Sequence, residues 1–274
     1  MGKTSKQLNV FDAMGNYWAE MADQNATDRQ AKFIKSILKS EGLILDLACG
    51  TGRHIIPLSK EGYNIVGLDV SASLLKIAKN RERNNKLVRA DMRFLPFKPD
   101  TFSAALSMDT SFGYLFSERD DLQTLNELNY TVTDGGMLII DVFNREKFVQ
   151  KYETTIKKDL KWSFLLILAK SNNRLASWLL LHLFNWREYP SFLLIQKRTI
   201  SKNGDNLHDS WAVYDKGKKQ IKLFEHVAQL YQLMQLKELL HRADFLINQI
   251  YGDYENQRFG PVSNRLILVA VSSK

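Results

Sequence analysis

Short apolar runs alternate along the chain with longer stretches whose apolar residues recur every three or four positions. Leu43–Leu47, Asn64–Leu68, Leu87–Met92, Phe102–Met108 and Met137–Phe143 are too short for helices and are bounded by glycine or polar residues, so they predict buried strands. Between them, Phe33, Ile34, Ile37 and Leu38 share one face of a helix that Gly42 ends. Ser71 is placed to N-cap a helix whose buried stripe is Leu74, Leu75, Ile77 and Ala78. Leu122, Leu125 and Leu128 mark another over about Glu118–Thr131, broken at Asp134-Gly135-Gly136. Such alternation predicts a parallel sheet with helices on both sides.

Beyond Phe143 the pattern changes. Residues 144–161 are charged and read as helical. Trp162–Ala169 and Leu175–Trp186 are strongly apolar, separated by the polar Lys170–Arg174. Neither run is long enough to span a bilayer. The 162–186 segment is expected to be a lid, a homodimer surface or a membrane-surface helix, and its polar face is poor in the lysine and arginine that the last would need. Phe192–Ser201, Leu207–Tyr214 and Gln220–Tyr231 predict three strands. They are joined by the hairpin signals Asn203-Gly204-Asp205 and Asp215-Lys216-Gly217. A helix over Leu233–Ala243 and strands over Phe245–Tyr251 and Leu266–Ser272 follow. The expected architecture is α/β: a doubly wound, mostly parallel seven-stranded sheet, with an antiparallel meander and helices inserted after the fifth strand. Residues 1–42 form a helical segment ahead of it, 43–274 the main domain, and 145–231 the inserted roof.

The candidate chemistry concentrates in LILDLACGTGRHIIPLSKEGYNIVGLDVS, Leu43–Ser71. Gly50 and Gly52 allow a tight turn and close ligand approach. A helix starting there would present free N–H groups to an anion. Asp69, ending the second strand, is placed to accept hydrogen bonds from the vicinal hydroxyls of a ribose. Ile55 stands where a dinucleotide fingerprint needs a small residue, and Arg53-His54 replaces the Lys-Ser/Thr of a phosphate loop. What remains is a nucleoside with an amino-acid tail, with Asp46 ordering the turn that meets its ammonium.

DLACGTGRH at Asp46–His54 resembles the first motif of class I S-adenosylmethionine-dependent methyltransferases. The likeness continues through VGLDVS, VRADMRFLPF at Val88–Phe97, SFGYLF at Ser111–Phe116 and DGGMLIIDVFNRE at Asp134–Glu146. The resemblance implies a Rossmann-like fold and S-adenosyl-L-methionine as cofactor. It implies cofactor contacts from Asp46, Ala48, Gly50, Thr51 and Gly52, from Asp69 and Val70, from Asp91 and Met92 around the adenine, and from Met108. Residues 1–42 would cover the cofactor, with Tyr17 as the aromatic contact. Small-molecule members of the family roof their substrate pocket with an antiparallel meander, which points to Phe112, Tyr114 and Tyr231 as pocket residues. Related members carry an arginine two residues before the tyrosine that ends the third roof strand. Here that residue is Gln229, which puts an acidic-substrate clamp from that position in doubt.

The implied reaction is in-line methyl transfer to a nucleophile on a small molecule. Methylation of RNA or protein is one alternative, and a non-catalytic nucleoside-binding protein of the same fold is another. Asp109 is a candidate base, with His182, His208 and His226 beside it, and no base is assigned. Composition narrows the partners. The chain has 274 residues and a net charge of 38 − 30 = +8, dispersed rather than gathered in a run. The Asn-Pro-Pro-Tyr signature of nucleic-acid amino methylases is replaced by MDTSFGY, and no zinc cluster or RNA-binding module appears. Nucleic acid and metal are therefore not expected. The single cysteine, Cys49, permits no internal disulfide and reads as a packing residue. With no secretion-signal core at the amino terminus and no transmembrane run, a cytoplasmic location is expected.

Overall fold

Parallel strands whose side chains are apolar on both faces need cover on both faces, and that requirement organises the main sheet. A computed structural model of the chain describes residues 3–21, 24–38, 42–84, 86–115, 117–153, 159–170 and 181–274. Strand β1 (Leu43–Leu47) pairs in parallel with β2 (Asn64–Asp69) and β4 (Phe102–Ser107). β2 continues to β3 (Lys86–Arg89), and β4 to β5 (Val132–Phe143). β11 (Arg265–Ser272) runs antiparallel between β5 and β10 (Phe245–Tyr251). The order is β10-β11-β5-β4-β1-β2-β3, so the sheet reverses its winding between β1 and β4, where a crevice opens at the carboxyl ends.

Alternate residues feed two cores. Leu45 and Leu47 join Phe102, Leu138, Ile140 and Phe245 on one face. There they meet Leu125 and Leu128 of α5 (Glu118–Thr131) and Leu236 of the helix Leu233–Arg242. On the other face Ile44, Ile65 and Ile139 meet Phe33 and Ile34 of α2 (Gln24–Ile37) and Ile55 and Leu58 of α3 (Ile55–Lys60). α4 (Ala72–Arg81) follows β2, with its first turn capped by the Ser71 hydroxyl.

Several boundaries differ from the periodicity. β3 ends at Arg89 and β4 at Ser107, so Asp91, Met92 and Met108 lie in the turns beyond the strands. Asp134-Gly135-Gly136 does not precede β5 but lies within it. Phe102 pairs with Val132 and Ala104 with Met137, so residues 133–136 bulge out of the ladder, with Gly135 at φ 68°.

Between β5 and the last helix lie α6 (Arg145–Glu153), α7 (Asp159–Lys170) and a four-stranded antiparallel sheet. Its strands are β6 (Arg187–Glu188), β7 (Phe192–Ile200), β8 (Asn206–Asp215) and β9 (Gln220–Gln229). β6 is an addition to the three strands expected. Trp162 and Leu165 of α7 pack against Ala212, with Ile195 and Ile221 beside it, and so cover the outer face of this roof. Residues 171–180 of the apolar 162–186 stretch lie outside the described residues. On the inner face, α1 (Lys3–Met21) brings Val10, Met14 and Tyr17 against Phe192, Trp211 and Phe224, and it kinks at Gly15 (φ 31°, ψ −104°). Among the described residues no helix is long and apolar enough to cross a membrane. The helix Leu233–Arg242, called α8 below, completes the elements.

Candidate functional site

The turn after β1 enters the left-handed region three times, at Ala48 (φ 56°), Gly50 (φ 54°) and Gly52 (φ 74°). Asp69 holds it closed. Its Oδ2 accepts from the Gly50 N–H at 2.8 Å, and its Oδ1 accepts from the Ser71 N–H at 2.8 Å. The Gly52 N–H donates to the Cys49 carbonyl at 3.0 Å, and α3 begins only at Ile55. The Gly50 and Gly52 N–H groups are therefore already engaged within the protein, and the helix begins after the glycines rather than at them. Ile55 fits because β2 offers the bare backbone of Gly67. A Cβ there would lie 2.2 Å from Ile55 Cδ1 and 2.7 Å from Cys49 Sγ. Burial pushes the Cys49 thiol well up, so it stays protonated packing material.

Asp46 is fully buried on β1, and its Oδ2 has no hydrogen-bond partner among the described residues. Burial, opposed by Arg53 and reinforced by Asp69, pushes its carboxyl up to about 7. A buried acceptor without a donor is costly, and a cationic group brought to this turn would relieve it.

The turn after β4 is strained at consecutive positions, Asp109 (φ 55°) and Thr110 (φ 64°), at an expected cost of about 1–3 kcal/mol each. A buried network overcomes that cost. Asp141 Oδ2 accepts from the Asp109 N–H at 2.8 Å, and the Asp141 carbonyl accepts from the Thr110 N–H at 2.8 Å. Arg265 donates to Asp141 Oδ1 at 2.7 Å and to Thr110 Oγ1 at 2.9 Å. The Tyr254 hydroxyl donates to Asp141 Oδ2 at 2.7 Å and accepts from Gln30 at 2.8 Å. Gln30 in turn accepts from Arg53 at 2.6 Å and lies 3.0 Å from His54 Nε2. Arg53 closes the circuit by pairing with the Asp109 carboxylate at 2.7 Å. Asp109 is thus an ion-paired carboxylate that fixes the loop. Acting as a base would require it to leave Arg53.

A cavity of about 610 Å³ opens between these turns, α1 and the roof. Gly50, Thr51, Asp69 and Val70 line one end, with Leu74 beside Gly50. Asp91 and Met92 lie beside that end, although both Asp91 oxygens also accept from the Arg93 guanidinium. Ala48, Met108 and Asp109 line the floor, and Tyr114 stands where the floor meets the roof.

Five of the expected cofactor and pocket residues do not line this cavity. Tyr17 turns toward the roof, donating its hydroxyl to Asp215 and packing its ring on Phe192. Its helix instead presents Phe11 and Trp18 to the cavity. Phe112 is wholly buried in the main core, 5.7 Å ring to ring from Tyr231, whose hydroxyl donates to Asp121. Gly52 is buried and closes the turn through its N–H to the Cys49 carbonyl, and Asp46 is buried on β1, outside the lining.

The roof's inner face carries His226, one of the candidate bases, together with Arg198 and Asp209, which the motif reading did not single out. Arg198, Asp209 and His226 are direct cross-strand partners on β7, β8 and β9, and all three line the cavity. Asp209 is 2% exposed and accepts from Arg198 Nε at 2.9 Å and from Gln196 Nε2 at 2.9 and 2.7 Å. The readable signal was alternation: Leu207, Asp209, Trp211 and Val213 fall on one face of β8, so an acid sits at a core-facing position.

Residues 44–136 match the family model described as a methyltransferase domain. A glycine/sarcosine N-methyltransferase of Parasynechococcus marenigrum (strain WH8102) is 33% identical over 152 residues, 53% of this chain and 54% of that protein. The chain spans about half the length of the curated relatives it first matches. The CcbJ methyltransferase of Streptomyces caelestis shares the fold at a TM-score of 0.73 and 14% identity, covering 97% of this chain and 98% of that one. An S-adenosylmethionine-dependent methyltransferase of Clostridium acetobutylicum ATCC 824 does so at 0.69 and 17%, covering 96% and 97%. Residues 44–136 are thus similar in sequence to a methyltransferase domain, and the whole chain shares the fold of S-adenosylmethionine-dependent methyltransferases.

Proposed function

We propose that this protein transfers a methyl group from S-adenosylmethionine to a nucleophile on a small molecule held under the roof. The observation that carries this reading is one continuous cavity, whose one end is built from the motif turns and whose other end is the inner face of the inserted sheet. Its volume of about 610 Å³ falls in the range of small-molecule sites. The relative that methylates glycine and sarcosine by name supports a small acceptor.

The residues present fit the cofactor. Asp69 keeps acceptor capacity beyond its two backbone hydrogen bonds and faces the cavity, as a ribose diol requires. Val70, Leu74 and Met92 give an apolar bed for a purine. The unpartnered Asp46 Oδ2 suits an ammonium at the turn. When bound, the cofactor supplies an electrophilic methyl on a good leaving group, so the protein's part is alignment and exclusion of water. Phe11, Trp18 and Tyr114 offer ring faces that hold a cation without the ground-state stabilisation a carboxylate would give.

The test is a melting curve. S-adenosylhomocysteine well above its Kd should raise the Tm, whereas NAD should not. A rise with NAD alone would contradict the reading. RNA methylation would show itself as RNA binding that falls steeply with added salt.

A further inference from the structure

His226 is 4% exposed on β9, and its Nδ1 has no hydrogen-bond partner among the described residues, although the residue lines the cavity. Three rings surround it: Trp211 at 4.4 Å, Tyr114 at 5.2 Å and Phe11 at 5.6 Å between centroids. Burial, helped by Arg198, pushes the imidazole down to about 3, so the ring is neutral at ordinary pH. Beside it in the same row, Arg198 and Asp209 cancel one another's charge. Arg53, at the floor, is likewise paired with Asp109, and Arg187 lies exposed at the rim.

A wall of this kind discriminates between acceptors. A carboxylate would find its inner cations already paired. A hydroxyl needs a base to take its proton, and neither a weakly basic imidazole nor a carboxylate bound to Arg198 serves that purpose. A neutral amine needs no base before it attacks, and it becomes a cation as it is methylated. Aromatic faces and a lone pair on a neutral imidazole both favour that change.

We propose that the row Arg198–Asp209–His226, faced by Tyr114, is the acceptor-holding wall of the cavity and that it selects an amine, with His226 Nδ1 accepting a hydrogen bond from the N–H of the nucleophilic nitrogen. This rests on the methyltransferase reading of the cavity. The imidazole proton then resides on Nε2. The amine lone pair forms the carbon–nitrogen bond as the carbon–sulfur bond breaks, and sulfur keeps that bond's electron pair. The surplus ammonium proton leaves to water at the mouth.

The test uses the full chain with S-adenosylhomocysteine and three probes of one skeleton: benzylamine, benzyl alcohol and benzoate. Thermal shift with S-adenosylhomocysteine alone is read first, and its absence sinks the cofactor reading rather than the acceptor wall. In the stabilised protein, ligand-observed NMR should show benzylamine binding in preference to the other two. H226F, which keeps a ring but loses Nδ1, should weaken benzylamine about tenfold, and H226N, which can restore an acceptor at that position, should stay within about threefold of wild type. Preference for benzoate or benzyl alcohol, indifference of benzylamine to H226F, or no benzylamine binding to the stabilised protein would each overturn the proposal. Should H226F not fold, the ¹⁵N shift of the wild-type His226 imidazole decides: movement of Nδ1 on adding benzylamine supports the wall, and none refutes it.

Discussion

The two ends of the cavity are made by different means. At the cofactor end, side chains serve the backbone: Asp69 clamps Gly50 and Ser71, and Asp141 clamps Asp109 and Thr110. At the roof end the backbone is an ordinary antiparallel ladder, and the surface is written in side chains that cross it in register. A turn held by fixed carboxylates can recognise only what fits that turn. A sheet face can change its specificity by exchanging one inward residue for another without disturbing the ladder.

The largest effect is expected from removing the clamp on the cofactor side. Asp141→Ala leaves Arg265, whose side chain is 10% exposed, without its buried partner, and should cost about 3–5 kcal/mol of stability in urea unfolding. A loss below about 1 kcal/mol would mean the 109–110 turn does not depend on the network. On the roof, Gln196→Ala removes a neutral donor to Asp209 while Arg198 remains, and should cost about 1 kcal/mol in the same assay.

A smaller effect comes from protons. The folded-state carboxyl of Asp46 sits near 7, above its ordinary value of 3.8. Between those values the folded protein holds a proton that the unfolded chain releases, so stability falls as pH rises from about 4 to 7 and is greatest below that window. Asp121, also pushed up to about 7 by burial, adds a slope of the same sign. Asp46→Asn should therefore flatten the profile in part, and an unchanged slope would show that Asp46 is ionised throughout. If Asp46 meets the cofactor's ammonium, calorimetry near pH 6 in buffers of different ionisation enthalpy should show proton release on S-adenosylhomocysteine binding.

The same contrast governs what the sequence could tell. The sheet and the cofactor turns were legible because Asp46–His54, Asp69 and Asp91-Met92 lie in contiguous motifs on strand ends. Tyr17 reads as the aromatic cofactor contact, but residue type alone cannot say which way a helix faces, and a one-residue step to Trp18 rotates the view by about 100°. Phe112 and Tyr231 look like pocket aromatics until α5 supplies Asp121 as a partner from a distant stretch of chain. The bulge at residues 133–136 was hidden because glycine breaks a helix and loosens a strand equally well. Asp209 could have been found from the alternation of β8, whereas its pairing with Arg198 and His226 depends on hairpin register, which no motif records.

The central claim, that one end of the cavity binds the cofactor and the other the acceptor, is tested most directly by titration calorimetry of S-adenosylhomocysteine into wild type, D69A and H226F. Asp69→Ala should weaken binding by about 1–3 kcal/mol, and His226→Phe should leave it within about 0.5 kcal/mol of wild type. Undiminished affinity in D69A, or a loss in H226F as large as that in D69A, would contradict the division.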